Sequence, residues 1–491
     1  MKKAGIITII ILSTLAVRAQ NDADALRFSQ VYYGGTARSL SMGSAFGALG
    51  GDYSAISINP AGIGVFRKSE IVITPSLNNN SANSTYYGTS YKDTKYNFLL
   101  NNFGLVTTFN TNKETGWVSA SLGFGYNRIN DFNRNITVTG VNPNSSMLDE
   151  FVQNASGKYP SELDAFYEKL ALDADVIYNP DTTVLPPQYT YDAMGIWGMR
   201  QDQSIVTKGG IGEYNFSFGA NYSNKLFLGM ALGIQRLTYN EMKTFTETDI
   251  NGNIPVINSY TFAQGFNTHG SGLSFSFGAI YKPIELLRIG ASVHLPTFYS
   301  LSSDFSTSMD ANFKHVTGFP DNVYKESPVG VYDYHLTTPM RATGSVALVL
   351  GNRGLVSMDY EYVDYSTMKF RSDKDSYLDV NQAIQKYYKS ASNLRLGGEL
   401  KFGGLALRGG YALYGSPYVK GYGNDNVLRS SLSAGFGIRS NSFFFDMGYV
   451  YTWQNWNNML YQYVDGTKTY AEVAKTKLVN SQILATFGFR F

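Results

Sequence analysis

Residues 477–491 read KLVNSQILATFGFRF, and this last stretch of the chain decides the fold. Apolar and polar residues alternate along it. The apolar face carries Val479, Ile483, Ala485, Phe487, Phe489 and Phe491, and the other face carries Asn480, Gln482, Thr486, Gly488 and Arg490. Because successive side chains of a strand point to opposite faces, the pattern predicts a β-strand with one apolar and one polar face.

The same alternation, dense in Tyr, Phe, Gly and Ser, recurs throughout the chain. The predicted strands span residues 69–78, 95–110, 116–130, 210–223, 225–240, 268–282, 285–299, 335–351, 353–369, 391–402, 404–414, 428–440, 442–455 and 476–491. Short connections of a few residues, such as 223–224 and 440–441, alternate with long ones, of which the longest is 131–209. A sandwich has no reason to keep its long loops at one end, whereas this alternation is typical of an outer-membrane barrel.

The composition agrees with a membrane barrel. Only 16% of the 491 residues are charged, and the chain contains 37 Tyr and 31 Phe, whereas a soluble domain has about 25% charged residues. No long apolar run after residue 19 suggests a transmembrane helix, so backbone groups within a bilayer must pair between strands of a closed sheet. We therefore predict an all-β fold, an antiparallel transmembrane β-barrel of about 14 strands that spans residues 69–491.

The first 19 residues have the pattern of a cleaved signal peptide. A short basic start precedes the apolar run Ile6–Val17, and Ala19 provides a small residue before the expected cut. The mature chain is therefore expected in the outer membrane of a Gram-negative cell. Its aromatic last strand, which ends at Phe491, resembles the signal read by the outer-membrane assembly machinery.

Net charge and residue usage limit the partners and cofactors that we expect. The formal net charge of +2 does not favour a nucleic-acid partner. The chain has no Cys, which excludes thiolate chemistry, and its four His residues are far apart in the sequence. We expect no cofactor and no metal, and a monomeric protein surrounded by outer-membrane lipid.

A glycine- and alanine-rich segment lies between the signal peptide and the first predicted strand. Residues 34–66 read GGTARSLSMGSAFGALGGDYSAISINPAGIGVF. No strand precedes this segment and no βαβ unit surrounds it, so a nucleotide site is disfavoured. The predicted inward faces of the barrel carry small residues, including Gly229, Gly278 and Gly435, that leave space in the lumen. We predict that residues 20–68 fold back into the lumen as a plug.

The long loop 131–209 is predicted to contain short helices. Ser161 to Asp164 form a possible capping box, and Leu163, Phe166, Tyr167 and Leu170 follow at helical spacing. Two arrangements remain open. The apolar faces of these helices cover the outer mouth of the barrel, or they pack only within their own loop.

The sequence offers little support for an enzyme. It lacks the HExxH, GxSxG and P-loop motifs. His269 and Ser271 lie two residues apart on a predicted strand, as in outer-membrane phospholipases. However, position 283, where a polar residue would orient the His, is Pro283. We predict a protein that is not an enzyme, with an esterase as the hypothesis that this pair keeps open.

The N-terminal segment also resembles a known family. The matching residues are Arg38, Met42-Gly43-Ser44-Ala45-Phe46, Asp52, Ala55 and Asn59-Pro60-Ala61-Gly62. They resemble the N-terminal hatch of FadL/TodX-type outer-membrane transporters, and residues 278–292 are similar to that family's mid-barrel hairpin. The motifs cover only about 50 residues. The resemblance implies a 14-stranded barrel with hatch or gating residues at Arg38, Gly43, Asp52, Asn59, Pro60, Ala61 and Gly62.

The family resemblance further implies passive transport of a hydrophobic small molecule similar to a long-chain fatty acid. The ligand would pass from outer loops to a lumenal pocket, and hatch movement would open a lateral exit at a strand kink into the bilayer. Gly123 and Gly125 in the third strand are the candidates for that kink, because strand glycines often mark bends. The alternative function is a binding protein, docked by exported proteins during secretion or serving as a receptor for haemin or another ligand.

Overall fold

The protein forms a closed antiparallel β-barrel with 14 strands around its wall. The computed structural model describes residues 22–180, 189–195, 197–315, 320–465 and 468–491. The strands in chain order are β1 (Glu70–Tyr86), β2 (Thr89–Asn110), β3 (Trp117–Asp131), β4 (Arg134–Val141), β5 (Ile177–Tyr178), β6 (Asp192–Ala193), β7 (Arg200–Tyr222), β8 (Leu226–Thr248), β9 (Ile257–Ile284), β10 (Leu287–His294), β11 (Phe298–Phe313), β12 (Asn322–Glu326), β13 (Gly330–Thr337), β14 (Arg341–Val349), β15 (Gly354–Asp364), β16 (Lys369–Arg371), β17 (Ser390–Phe402), β18 (Leu405–Tyr414), β19 (Arg429–Arg439), β20 (Phe443–Asp465) and β21 (Lys468–Arg490).

Helices are few and short. They are α1 (Asp22–Ser29), α2 (Ala37–Ser41), α3 (Met147–Ala155), α4 (Glu168–Asp173) and α5 (Leu378–Tyr387), with the 3₁₀ helices η1 (Tyr53–Ser57), η2 (Pro60–Val65) and η3 (Tyr365–Thr367). Within the described residues, no helix has both the length and the apolar character needed to span a bilayer.

The last strand closes the sheet. β21 pairs with β20 on one side and with β1 on the other, from Glu70↔Arg490 to Thr85↔Lys475. Several of the 14 wall strands are interrupted and consist of two consecutive shorter strands. For example, β4 continues β3 and β11 continues β10. The predicted barrel is confirmed, and every short connection that was predicted lies at the same end of it.

The outer surface of the barrel carries the predicted apolar face. Ile483, Phe487 and Phe489 of β21 are exposed, whereas Thr486 and Gly488 between them are buried toward the lumen. The same alternation on the other strands surrounds the barrel with apolar side chains, as contact with lipid requires. The long-loop ends of many strands extend further than predicted, and β9 reaches 28 residues, because these ends also support the loops above the membrane.

The loop between β4 and β7 covers the mouth of the barrel. Apolar side chains of α3 and α4, including Leu148, Phe151 and Leu170, pack in one cluster with Tyr260 and Phe262 of the extended β9. Of the two arrangements left open by the sequence, the structure therefore has the covered mouth. We call the described part of residues 142–199 the cap.

The expected capping box at Ser161 is wrong. Residues 160–165 form turns, and α4 begins only at Glu168 without a side-chain cap. The capping box lies earlier, at the start of α3, where Ser146 and Asp149 cap each other's backbone N–H groups. The Ser161 pattern failed because Leu163 and Tyr167 bury their side chains in the cap core from non-helical positions.

Residues Asp22–Phe66, which we call the N-terminal segment, lie inside the barrel. Its short helices contact strands on opposite sides of the wall: η2 packs on β7, β8 and β9, and α2 packs on β18, β19 and β20. Most of its side chains are buried. The segment therefore occupies the lumen, with η2 near the short turns and α1 reaching α5 in a long connection at the other end.

Candidate functional site

Two polar side chains shape the N-terminal segment into short helical turns. The Asp52 carboxylate caps η1 and also accepts a hydrogen bond from Thr36 Oγ1 at 2.9 Å. Asn59 caps η2, with its Oδ1 3.1 Å from Ala61 N. Pro60 follows as the first residue of η2, a position where its missing N–H leaves no hydrogen bond unmade. The Asn-Pro-Ala motif is therefore a helix start.

The same motif fastens the segment to one wall of the barrel. Asn59 Nδ2 donates a hydrogen bond to Ala279 O of β9 at 3.2 Å. Three wall glycines that face η2 are paired side by side across β7, β8 and β9, namely Gly219, Gly229 and Gly278. A Cβ on Gly229 would overlap the Pro60 carbonyl. The glycine row allows the η2 backbone to lie directly on the strands.

Arg38 and Gly43 fasten the segment to the opposite wall. Arg38 Nε lies 3.1 Å from Glu399 Oε2 of β17, and the same oxygen lies 2.7 Å from Arg408 Nε of β18. Gly43 adopts φ +62°, and its N–H donates to Ser433 Oγ at 3.2 Å. These charges are buried, so the loss of one partner would leave another uncompensated.

The remaining predicted residues complete the fold of the segment. Ala61 is fully buried against Phe227 and Ile280 of the wall. Gly62 O accepts a hydrogen bond from Gly51 N at 3.0 Å, which closes a loop within the segment. The structure thus places the expected hatch residues in one body inside the lumen: Arg38, Gly43, Asp52, Asn59, Pro60, Ala61 and Gly62.

Gly123 and Gly125 lie in a regular part of β3. Both are paired with β2 and with β7, and no register shift falls at either residue. A Cβ on Gly123 would lie 2.5 Å from Ile63 Cδ1, and a Cβ on Gly125 would lie 2.5 Å from Tyr53 Oη. In this conformation the two glycines make room for the N-terminal segment, and a lateral opening at this point stays a prediction.

The irregular part of the wall lies a few residues further along β3. β2 and β3 pair from Asn110↔Ser119 to Asn102↔Asn127, and β3 has a register shift between Arg128 and Asn130. We call the place where these strands separate the β2–β3 seam. There the N-terminal segment pairs with β3 in place of β2, since Tyr32 N donates to Ile129 O at 3.0 Å and Gly34 N to Arg128 O at 2.9 Å.

A bulge in β2 accompanies the separation. Thr74 of β1 pairs with Asn102, but the next residue, Pro75, pairs with Leu100, so Asn101 is an extra residue. Pro75 has no N–H to donate, and a bulge is where a strand tolerates proline. A bulge also re-aims side chains, and Asn101 is 1% exposed, with its side chain turned into the lumen.

A cavity of about 110 Å³ lies on the lumenal side of the seam. Its floor consists of residues from the N-terminal segment, including Tyr32 and Gly43. Its polar lining residues include Asn78, Asn80, Asn101, Arg128, Asn130, Asp131, Arg429, Asn480 and Gln482. We call this cavity the seam pocket, and its lining includes six amide side chains.

A second, apolar part of the lumen is filled by α1. Leu26 and Phe28 of this helix are buried among inward-facing side chains of the wall and of α5. These side chains include Leu237, Tyr239, Phe266, Tyr299, Leu301, Tyr334, Leu336, Phe370 and Ile384. The Phe28 ring lies 5.8 Å from that of Tyr239 in an edge-to-face arrangement. We call this region the apolar chamber.

The pair that suggested an esterase lies elsewhere. His269 and Ser271 are exposed on the outer face of β9, away from the lumen. Sequence reasoning missed the partners of the segment on the wall, such as Glu399, and the seam itself. One signal was available, because Pro75 within a predicted strand indicates a bulge.

No protein-family model matches the chain, and no curated protein sequence matches it. Solved structures do match. A Pseudomonas aeruginosa FadL homologue has a TM-score of 0.56 at 14% identity, covering 94% of this chain and 99% of that one. The Pseudomonas putida toluene transporter TodX has a TM-score of 0.52 at 11% identity, covering 94% and 100%.

A third match has similar values. The Ralstonia pickettii toluene transporter TbuX has a TM-score of 0.51 at 14% identity, covering 93% of this chain and 98% of that one. At these identities the likeness concerns the fold. The 14-stranded barrel with the N-terminal segment in its lumen therefore has the fold of the FadL-type transporters.

Proposed function

We propose that the protein is an outer-membrane channel through which hydrophobic small molecules diffuse passively and leave sideways into the bilayer. The β2–β3 seam is the observation that carries this proposal. At the seam, backbone N–H groups of the N-terminal segment, and not of β2, donate hydrogen bonds to β3. Withdrawal of residues 32–34 would therefore open a path from the lumen toward the bilayer without breaking the backbone pairing of two wall strands.

The apolar chamber supports a hydrophobic ligand. The side chains around Phe28 present an apolar surface that α1 now covers. A ligand that replaced α1 there would keep the surface buried, and an acyl chain gains about 0.8 kcal/mol for each CH₂ removed from water. Because α1 precedes residues 32–34 in the chain, its displacement would pull on the part of the segment that fills the seam.

The seam supports a lateral exit a few residues away from the two glycines of β3. Gly123 and Gly125 lie on the same strand, next to residues of the N-terminal segment. We propose that the segment acts as the hatch, that the exit is the seam above these glycines, and that long-chain fatty acids or hydrocarbons are the cargo. The fold likeness to a FadL homologue and to two toluene transporters supports this class of ligand.

Uptake of labelled compounds tests the proposal. Cells with and without the gene are given a labelled long-chain fatty acid and, separately, labelled toluene. We expect faster uptake of at least one compound in cells that carry the gene. If uptake of both is unchanged while exported proteins are lost from the surface of cells that lack the gene, the docking function is correct instead.

A further inference from the structure

The outward faces of four adjoining strands change from apolar to basic toward the long loops. β2, β1, β21 and β20 are paired side by side without a break over this stretch. One row of residues across them is apolar and exposed, and consists of Phe98, Leu77, Ile483 and Tyr449. Farther along the strands come two rows of exposed polar or basic residues, namely Lys92, Asn83, Lys477 and Asn455, and then Ser90, Thr85, Lys475 and Asn457. We call these two rows the basic patch.

The basic patch lies where lipid head groups are expected. On β20, apolar and aromatic residues such as Met447 and Tyr449 face outward between Phe443 and Trp453. Ten residues of a strand tilted by about 40° rise about 25 Å, which is the height of the apolar band of an outer-membrane barrel. Aromatic side chains are typical of the edges of that band. The patch begins with the next outward residue, Asn455, and therefore lies just beyond the hydrocarbon.

Three positive charges in the patch have no acidic neighbour among its eight residues. Lys475 and Lys477 are two residues apart on β21, about 7 Å along the strand, and Lys92 lies two strands away, about 10 Å from Lys477. None of the three forms an ion pair within the described part of the chain. Lysine ammonium groups bind phosphate as point charges, so the patch attracts an anionic group such as phosphate.

A pocket of about 450 Å³ adjoins the patch on β20. Asn457 connects the strand to the loop that forms the other side of the pocket, since its N–H donates to Asn424 Oδ1 at 2.9 Å and its Nδ2 donates to Gly423 O at 2.8 Å. The indole of Trp453 lines the pocket together with the polar residues Asn424, Asp425, Asn426, Ser430, Asn455 and Asn457. An apolar ring face surrounded by amides suits a sugar, whose C–H face packs on the ring while its hydroxyls form hydrogen bonds.

We propose that the basic patch and this pocket together bind the phosphorylated sugar head group of a glycolipid in the outer leaflet. The lysines hold the phosphate, and the sugar ring lies against Trp453. A lipid fits better than a soluble sugar phosphate, because the apolar row of Phe98 and Leu77 continues the same surface toward the hydrocarbon. The site is on the outside of the barrel and does not depend on the proposed transport function.

Titration of the detergent-solubilised protein with fluorescent lipids tests the proposal. The probes are monophosphoryl lipid A, its dephosphorylated form and phosphatidylglycerol. The variants are Lys92→Gln, Lys475→Gln and Lys477→Gln, singly and combined, and Trp453→Ala. The matched control removes three exposed lysines elsewhere, by Lys325→Gln, Lys369→Gln and Lys389→Gln combined. Heat-modifiable gel migration verifies that each variant is folded.

We expect each single lysine variant to bind monophosphoryl lipid A about 5-fold more weakly, and the triple variant about 20-fold or more, because a lysine near an anionic lipid surface contributes by about that factor. The control triple variant should bind as the unchanged protein does. Trp453→Ala should weaken binding of monophosphoryl lipid A but not of phosphatidylglycerol, which has no sugar ring.

Four results would overturn the proposal. The first is equally tight binding of the dephosphorylated lipid, and the second is an equal loss in the two triple variants. The third is an equal effect of Trp453→Ala on monophosphoryl lipid A and phosphatidylglycerol. The fourth is displacement of the lipid by soluble glucosamine 1-phosphate at the concentration at which the lipid itself binds, which would assign the site to a soluble sugar phosphate.

Discussion

At the inner wall of the barrel, the size of single side chains decides whether the N-terminal segment fits. Gly229 and Gly278 are neighbours on β8 and β9, and a Cβ on either would overlap η2 or its cap. The same relation holds on the other side, where a Cβ on Gly410 would overlap Gly43 N. These glycines are required by the close approach of two backbones, and none of these three has a positive φ.

Gly229→Ala is expected to loosen the segment. The added methyl group overlaps the Pro60 carbonyl, and such overpacking costs about 1–3 kcal/mol. Gly344→Ala is the matched control, because Gly344 is also a wall glycine but has nothing within 4 Å of its added Cβ. We expect proteolysis within residues 22–66 to be faster only in Gly229→Ala. Equal rates in both variants would contradict the close packing.

At the scale of elements, the N-terminal segment has two parts that are held differently. Residues 36–66 lie between glycine rows and are fastened by Arg38 and Asn59 to opposite walls. Residues 30–35 are held by backbone hydrogen bonds to β3 at the seam and by Tyr33, whose hydroxyl donates to Glu361 Oε2 at 3.0 Å. Apolar contacts hold α1, together with the Tyr388 hydroxyl, which donates to Asp22 Oδ2 at 3.0 Å. Because residues 36–66 are pressed against wall glycines on both sides of the barrel, we expect only residues 22–35 to move during transport.

A disulfide between residues 36–66 and the wall tests this expectation. An added Cβ at Gly448 of β20 would lie 2.5 Å from Ser41 Oγ, so cysteines at both positions come within the range of a disulfide, for which Cβ atoms are about 3.5–4.5 Å apart. The natural chain has no Cys, so Ser41→Cys with Gly448→Cys forms a single pair.

Oxidation of that double variant is expected to leave uptake of a labelled fatty acid at more than half its rate in the reduced protein, because residues 36–66 need not leave the wall. The single-cysteine variants serve as controls. A loss of uptake that reduction restores would show that the segment moves as one body.

The docking of the cap is expected to depend on pH through Glu150 of α3. Burial raises the pKa of this carboxyl to about 7, although Gln462 N and Tyr167 hydrogen-bond it and Lys243 attracts its charged form, while Glu168 acts in the opposite direction. A raised pKa means that the docked cap favours the protonated acid. Docking is therefore most stable below the ordinary pKa of about 4.5 and weakens as the pH rises through 7.

Proteolysis of the cap measures this effect. We expect cleavage between residues 142 and 180 to accelerate from about pH 5.5 to about pH 8 in the unchanged protein. Glu150→Gln should remove most of the acceleration, and the ratio of the two proteins at each pH cancels the protease's own pH dependence. The same acceleration in Glu150→Gln would exclude Glu150 as its cause.

At the scale of the whole molecule, two bodies obstruct the barrel. The cap covers the outer mouth, and residues 36–66 of the N-terminal segment occupy the lumen near the short turns at the opposite end. The seam pocket, of about 110 Å³, lies against the segment. We therefore expect the segment to be the barrier to small solutes at the end with the short turns.

Removal of residues 20–66 should leave a leaky pore. Liposome swelling in small sugars measures the leak, and a chain that lacks only residues 20–29 is the control, because it keeps the seam and both glycine rows filled. We expect fast swelling with the longer deletion and little with the shorter one. No increase in passage with the longer deletion would refute the role of the segment as a plug.

Local patterns were enough to predict the barrel and the position of the N-terminal segment in the chain. Alternation in residues 477–491, short turns such as Ser223–Asn224, and small inward residues such as Gly229 are each read from neighbouring positions. The capping box at Ser161 was predicted wrongly, because burial of Leu163 and Tyr167 in the cap outweighed a local helix signal.

The sequence by itself determined the closed sheet, because in lipid every strand must pair and each face must suit its solvent. Only the tertiary structure decided where two neighbouring wall strands separate. The pairing of β2 with β3 ends at Asn102, beside the register shift at Pro75 of β1, and residues 32–34, far away in the sequence, hydrogen-bond to β3 there. Which segments pair at the seam depends on contacts between residues that are distant in the sequence, and no local pattern contains that information.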